Sequence, residues 1–200
     1  NKKVKVIFNS VKLSNNFKKN GEIKKKFFKE FNLPHRAKVI LSVGRICFHK
    51  RQDFIIESLG PILKDKNIFL FFIGENDFSM PSSKETAKKI KKLIQIHDIE
   101  SNIRFLGYRD DVREMMAITD LLVHSALTEA FGLVLLEAMG NGIPIVASKV
   151  DAIPEIVSEP DNLLVEKNNL EAFRKSVEII LNRSQKMKED VSRRNIAIAA

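Results

Sequence analysis

The chain is predicted to fold as an α/β domain, doubly wound around a mostly parallel sheet. Three observations lead there. Short runs of Val, Ile, Leu and Phe recur along the sequence, they are apolar at consecutive rather than alternate positions, and segments with helical periodicity separate them. Strands buried on both faces read in this way, because helices cover the sheet above and below. With 200 residues, 44% of them hydrophobic, the chain can bury such a core.

The elements follow in order. Residues 1–20, NKKVKVIFNSVKLSNNFKKN, read as a strand over Val4 to Phe8 and then a polar linker. Residues 21–33 set Phe27, Phe28 and Phe31 among lysines, as in a short amphipathic helix that Pro34 ends. KVILSVG is a buried strand closed by Gly44, and QDFIIESLGPIL is helical. IFLFFIG is a second strand ending at Gly74, followed by a polar loop that includes Pro81. ETAKKIKKLIQIHDI is an amphipathic helix, NIRFLG a third strand, DDVREMMAIT a helix and DLLVHS a fourth strand. AFGLVLLEAMG opens another helix, with Leu136 and Met139 expected in the core, and IPIVAS is a fifth strand. LEAFRKSVEIILN and residues 184–200 are helical.

Charge is unevenly placed. Residues 1–51 hold 15 Lys/Arg and 2 Asp/Glu, a balance of +13; the whole chain carries +9, so residues 52–200 carry −4. A basic front of this kind can attract phosphates, anionic lipid headgroups or nucleic acid. Equally it can be a solvated consequence of a Lys-, Ile-, Asn- and Phe-rich composition, and that reading is favoured for the patch as a whole. No run has the length of a membrane span. The lone Cys47 cannot form an internal disulfide, which points to a reducing cytosol. No His/Cys/Asp cluster has metal-ligand spacing, so no metal is expected.

In doubly wound sheets ligands bind beyond the carboxyl ends of the strands. Gly44-Arg45, Gly74-Glu75-Asn76, Gly107 and Ser125 to Gly132 all fall there. Arg45 and Lys50 follow the first strand five positions apart, a fork and a point charge that can converge on a diphosphate; they can also be two solvated cations. Ala130-Phe131-Gly132-Leu133 leads into a helix whose free N–H groups favour an anion, with Gly132 allowing close approach. Glu137, inside that helix, can accept two hydrogen bonds from a vicinal diol such as ribose. Glu129 sits before the helix, free to reach another part of the ligand. Taken singly, either glutamate would suit a solvated or capping role. His124 reads as a strand-end structural residue, and His49 as a surface one.

Glu129 and Glu137, within TEAFGLVLLEAMGNGIPIVAS, resemble the Glu-x7-Glu motif of the retaining glycosyltransferases of family 4, or group 1, which have the GT-B architecture of two Rossmann-like domains around a cleft. VGRICFHKRQDFIIES, FFIGEN, IRFLGYRDDVREMM and AIPEIV resemble further landmarks of that family in the same order, and VIFNSV resembles its interdomain linker. The resemblance implies a metal-independent transferase without a cofactor, whose substrate is a nucleoside diphosphate-sugar. Arg45 and Lys50 would bind the pyrophosphate and stabilise the leaving diphosphate, and Glu129 would contact the donor sugar. Glu137 would hold the ribose, with the turns at Gly44 and Gly74 beneath the donor and backbone N–H groups of Phe131, Gly132 and Leu133 around the phosphates. Arg104, Phe105 and Gly107 would border the base. Asp151-Ala152 stands where the family commonly has Gly-Gly, which bears on the sugar side of the site.

The order of landmarks also implies that residues 1–20 are a linker and 21–200 the carboxyl-terminal, donor-binding half. The missing amino-terminal domain would bind a glycan or lipid-linked acceptor, as in the synthesis of cell-surface polysaccharide or glycolipid. The terminal helical region would be truncated, and the fragment alone would bind donor weakly and transfer no sugar. Location would be cytoplasmic, with peripheral contact at the inner face of the membrane as an accessory. Two alternatives share the architecture or the charge: a GT-B nucleotide-sugar epimerase, and a non-catalytic basic module for nucleic acid or membrane. Nucleic acid is not the expected partner, because no basic motif is interleaved with aromatics. A NAD-type site is disfavoured because VGRICF lacks G-x-G-x-x-G.

Overall fold

A computed structural model of the chain describes residues 21–77, 81–157 and 160–199. The predicted linker strand and loop of residues 1–20 lie outside the described residues. Eight α-helices and six strands alternate over the described residues: α1 (Gly21–Glu30), β1 (Lys38–Val43), α2 (Gln52–Leu59), β2 (Ile68–Ile73), α3 (Pro81–His97), β3 (Ile103–Phe105), α4 (Val112–Met115), β4 (Leu121–His124), α5 (Leu133–Gly140), β5 (Ile145–Ser148), α6 (Ile153–Ile156), β6 (Leu163–Val165), α7 (Leu170–Leu181) and α8 (Gln185–Ala199).

The strands form one parallel sheet in the order β3-β2-β1-β4-β5-β6. β1 lies against β2 with Lys38 opposite Ile68 and Val43 opposite Ile73. Alternate side chains leave the sheet on opposite faces. Val39 and Leu41 of β1, with Phe69, Phe71 and Ile73 of β2, join the core that holds Phe27 of α1, Met115 of α4, and Leu135 and Met139 of α5. Ile40, Leu70 and Phe72 join the other core, with Ile55 and Leu59 of α2, Ile90 of α3, and Phe173 and Val177 of α7. Runs of consecutive apolar residues are therefore what this sheet needs.

Several boundaries differ from the sequence-based expectation. β6 was not anticipated: it has three residues, pairs only with β5, and is too short to show a period. Pro81, expected in a loop, is the first residue of α3, where a missing N–H costs nothing because that donor has no intrahelical acceptor. DDVREMMAIT is divided between α4 and a 3₁₀ turn over Met116–Ile118. In α5 the fully buried positions are Leu135, Ala138 and Met139, whereas Leu136, expected in the core, is half-buried. Met139 is buried as expected, and Leu135 takes the core place expected of Leu136.

The strand order reverses direction between β1 and β4. Chains leaving their carboxyl ends there turn to opposite sides, which opens a crevice above the sheet.

Candidate functional site

The loops bordering that crevice follow β1 (residues 44–51) and β4 (residues 125–132), and they are fastened to each other. The Leu127 backbone N–H donates to the His49 carbonyl at 2.8 Å. The Ser125 hydroxyl lies 2.8 Å from the Lys50 carbonyl and 2.9 Å from that of Arg51. Gln52 secures the β1 loop from beneath, its amide donating to the Arg45 carbonyl at 2.9 Å. Arg51 takes a left-handed backbone, φ 53°, and its guanidinium donates to Asn168 at 2.9 Å across the crevice's far side.

Two of the predicted residues meet here. Lys50 Nζ lies 2.6 Å from Glu129 Oε2, with the side chains 28% and 12% exposed. The Lys50 stem crosses the end of β1, its Cδ and Cε lying 3.9 Å from where a Gly44 Cβ would stand. His124 joins them: the imidazole Nε2 is 2.8 Å from the same Glu129 oxygen. An ionised carboxylate only accepts, so that ring nitrogen carries the proton. The hydrogen bond from His124, and after it the bond and charge of Lys50, hold the Glu129 carboxyl down at about 2 against the opposing effect of burial. The Glu129 backbone is fixed as well, its N–H donating to Asp151 Oδ2 at 2.8 Å. Asp151 itself sits in the left-handed region, φ 43°, in the turn after β5.

A pH dependence follows. The folded-state value of Glu129 is depressed from 4.5, so its contribution to stability is complete above pH 4.5 and is lost as pH falls toward 2. Denaturant unfolding followed from pH 5 to pH 3 is therefore expected to show a smaller loss of stability in Glu129→Gln than in the unsubstituted chain. Equal losses would contradict the pairing.

Gly132 caps α5 with φ 85°. A Cβ there would stand 3.0 Å from Leu135 Cδ1 and 3.3 Å from Glu129 Cγ, so glycine both permits the backbone and clears the path of the glutamate stem. In the first turn of α5 the Leu135 N–H donates to the Gly132 carbonyl at 2.9 Å, and the positive end of the helix dipole lies at this terminus, beside the β4 loop. Phe131 is half-buried and Leu133 is 48% exposed at this end. Glu137, one turn beyond Leu133 on the same face, is half-buried.

Arg45 stands apart from this cluster. Its guanidinium pairs with Asp77 at 2.6 Å and its side chain is 72% exposed. Gly74 packs on the Gly44 carbonyl, and its N–H donates to the Gly107 carbonyl at 2.8 Å, so three predicted glycine turns share one edge of the crevice. Arg104 departs from the expectation. Its guanidinium donates to the carbonyls of Ser101 and Ile103 at 2.8 and 2.9 Å, back toward the start of β3 and away from the crevice. Strand alternation turns the neighbouring Phe105 to the opposite face, where it stacks on Phe72 with centroids 5.0 Å apart. The Gly107 end of that segment is the part at the strand ends.

Sequence reading passed over His124 and Asp151 as members of the site. His124 was signalled by its position at the carboxyl end of β4, and Asp151 by its place after β5 and by standing where the resembling family has glycine. Among the described residues no group of three or more His, Cys, Asp or Glu is placed to hold a metal ion, and no helix is long and apolar enough to cross a membrane.

Comparison with known proteins places the chain in a family. The family model for glycosyl transferases group 1 matches residues 23–197. N-acetyl-alpha-D-glucosaminyl L-malate synthase of Bacillus anthracis is 28% identical over 161 residues, covering 80% of this chain and 39% of the relative. The Anabaena protein HepE, solved in complex with UDP-glucose, superposes with a TM-score of 0.86 at 24% identity, over 98% of this chain and 52% of that one. The C-terminal domain of the group 1 protein LpcC from Francisella tularensis matches at a TM-score of 0.73 and 21% identity, over 86% of this chain and 89% of that domain. At these identities the structural likenesses establish the fold. The chain spans about two-fifths of the curated relative and about half of HepE.

Proposed function

The chain belongs to the glycosyl transferases group 1 family, and from that premise we propose that it is the carboxyl-terminal, donor-binding half of a retaining transferase of family 4. The observation that carries this reading is the joining of Lys50 and Glu129 beside the N-terminus of α5, at the point where the strand order reverses. A diphosphate there meets a cation and free backbone N–H groups together. The near-complete match to a C-terminal domain of a group 1 protein supports the assignment to that half, and HepE's UDP-glucose complex supports a nucleoside diphosphate-sugar as the donor.

In this reading Lys50 and, from the rim, Arg45 neutralise the diphosphate, Glu137 accepts the ribose hydroxyls and Glu129 faces the donor sugar. The bond from sugar C1 to the diphosphate oxygen breaks with its electron pair on that oxygen. The acceptor hydroxyl then bonds to C1 on the same face and gives its proton to the departing diphosphate oxygen. Cations and the helix terminus carry the charge stabilisation, so the reading assigns no metal or cofactor. The acceptor, a glycan or lipid-linked glycan in cell-surface polysaccharide or glycolipid synthesis, would be bound by an amino-terminal domain. A cytoplasmic setting with peripheral membrane contact belongs to the same reading.

Calorimetric titration of the chain with UDP, GDP and ADP tests it. One of the three is expected to bind, and Glu137→Ala to weaken it about tenfold, the loss of a hydrogen bond to a charged acceptor. Undiminished affinity in Glu137→Ala would remove the ribose assignment, and no binding of any of the three would remove the donor site.

A further inference from the structure

Glu129 has two holders of unlike character. Lys50 ends a short 3₁₀ turn (Phe48–Lys50) and carries its charge on a four-carbon stem, and its side chain is 28% exposed. His124 ends β4, pairs in register with Ala147 of β5, and is 3% exposed. One can swing and the other cannot. Both donate to the same oxygen, Oε2. On the reading above, which this inference rests on, Lys50 must turn from the carboxylate to the incoming diphosphate. If Lys50 were the only partner, that step would strand an ionised, largely buried carboxylate close to the ligand's negative charge, at the cost of an unpaired buried charge.

We propose that His124 is a positioning residue that keeps Glu129 bonded while Lys50 passes from the carboxylate to the diphosphate. Three further contacts hold the carboxylate's frame still through that exchange. Asp151 holds the Glu129 backbone N–H, Leu127 is tied to His49, and Ser125 reaches the Lys50 carbonyl. The site is thus pre-set: the cation is lent to the sugar-side glutamate and is released without freeing that glutamate. His124 touches neither phosphate nor sugar in this scheme. It acts through Glu129.

The test uses whichever of UDP, GDP and ADP binds the chain most tightly, titrated into His124→Met, His124→Gln and the double variant His124→Met/Glu129→Gln. Methionine keeps apolar volume without a donor, and glutamine keeps a donor N–H near the Nε2 position. His124→Met is expected to bind the diphosphate about tenfold more weakly, and His124→Gln to recover most of that loss. Adding Glu129→Gln to His124→Met is expected to restore binding, because no carboxylate charge is then left to strand. Because Glu129→Gln alone also frees Lys50, it is titrated alongside and the double variant is compared with it: a residue that served only to pack β4 would cost the same affinity in both backgrounds, whereas His124→Met is expected to cost nothing once the carboxylate is gone. Unchanged affinity in His124→Met, or an equal fold-loss from His124→Met with and without Glu129→Gln, would overturn the proposal while leaving the nucleotide site standing. Failure of the unsubstituted chain to bind any of the three diphosphates would instead overturn the site beneath it.

Discussion

Gly74→Ala is expected to remove most of the stability of the domain. Gly74 follows β2 with φ 141°, a backbone that side-chain-bearing residues rarely adopt. A Cβ at this position would stand 2.2 Å from the Gly44 carbonyl oxygen and 3.1 Å from the Arg45 nitrogen. Both are backbone atoms of the neighbouring strand's end, so no rotamer change relieves the contact. β1 and β2 would have to separate where they pair from Lys38–Ile68 to Val43–Ile73. Backbone strain costs about 1–3 kcal/mol and overpacking about as much again, against a typical total of about 5–15 kcal/mol. A loss of about 2–6 kcal/mol is therefore expected in urea unfolding. Because the Gly74 N–H also holds the Gly107 carbonyl, the crevice edge should loosen with it. A loss below about 1 kcal/mol would show that the two turns are not in obligatory contact.

How much of this was legible in the sequence depends on how local each signal is. β1, β2, β4 and β5 were readable because apolar runs of four to six residues that end in Gly, Ser or a charged turn have few other uses. β6 was not, since Leu163 to Val165 carries no period and its strand character comes from pairing with β5. Pro81 was placed in a loop because proline punctuates sequence, yet the first turn of a helix tolerates it. Residues Lys50, Glu129, Glu137 and Gly132 stood out through their ordered spacing along the chain. The chemistry that joins them did not. The bond of His124 to Glu129 depends on a loop folding back onto the end of its own strand, and Asp151 reaches the same residue from the turn after β5, 22 positions on. Arg104 shows the converse, a residue within a resembling segment whose side chain the fold turns away.

Lys50→Ala and Glu129→Gln are expected to move diphosphate affinity in opposite directions. Lys50 is paired with Glu129 at 2.6 Å, so a diphosphate must compete with that carboxylate for it. Glu129→Gln replaces the carboxylate with a neutral amide, frees the cation, and should tighten binding of the bare nucleoside diphosphate about threefold to tenfold. This holds although Glu129 is assigned to the sugar and not to the phosphates. Lys50→Ala removes the cation and leaves the carboxylate facing the ligand with His124 as its remaining side-chain donor. Loss of a charge-assisted bond of about 1.5–3 kcal/mol, with repulsion added, corresponds to about a hundredfold weakening. Arg45→Ala should cost less, because its guanidinium is 72% exposed and shared with Asp77, and exposed ion pairs contribute little. The double variant Lys50→Ala/Glu129→Gln should bind more tightly than Lys50→Ala, since the repulsion goes with the carboxylate. That non-additivity is the signature of two residues sharing one ligand. If Glu129→Gln instead weakens the bare diphosphate as much as Lys50→Ala does, the carboxylate contacts the diphosphate side of the ligand, and the division between Lys50 and Glu129 is wrong.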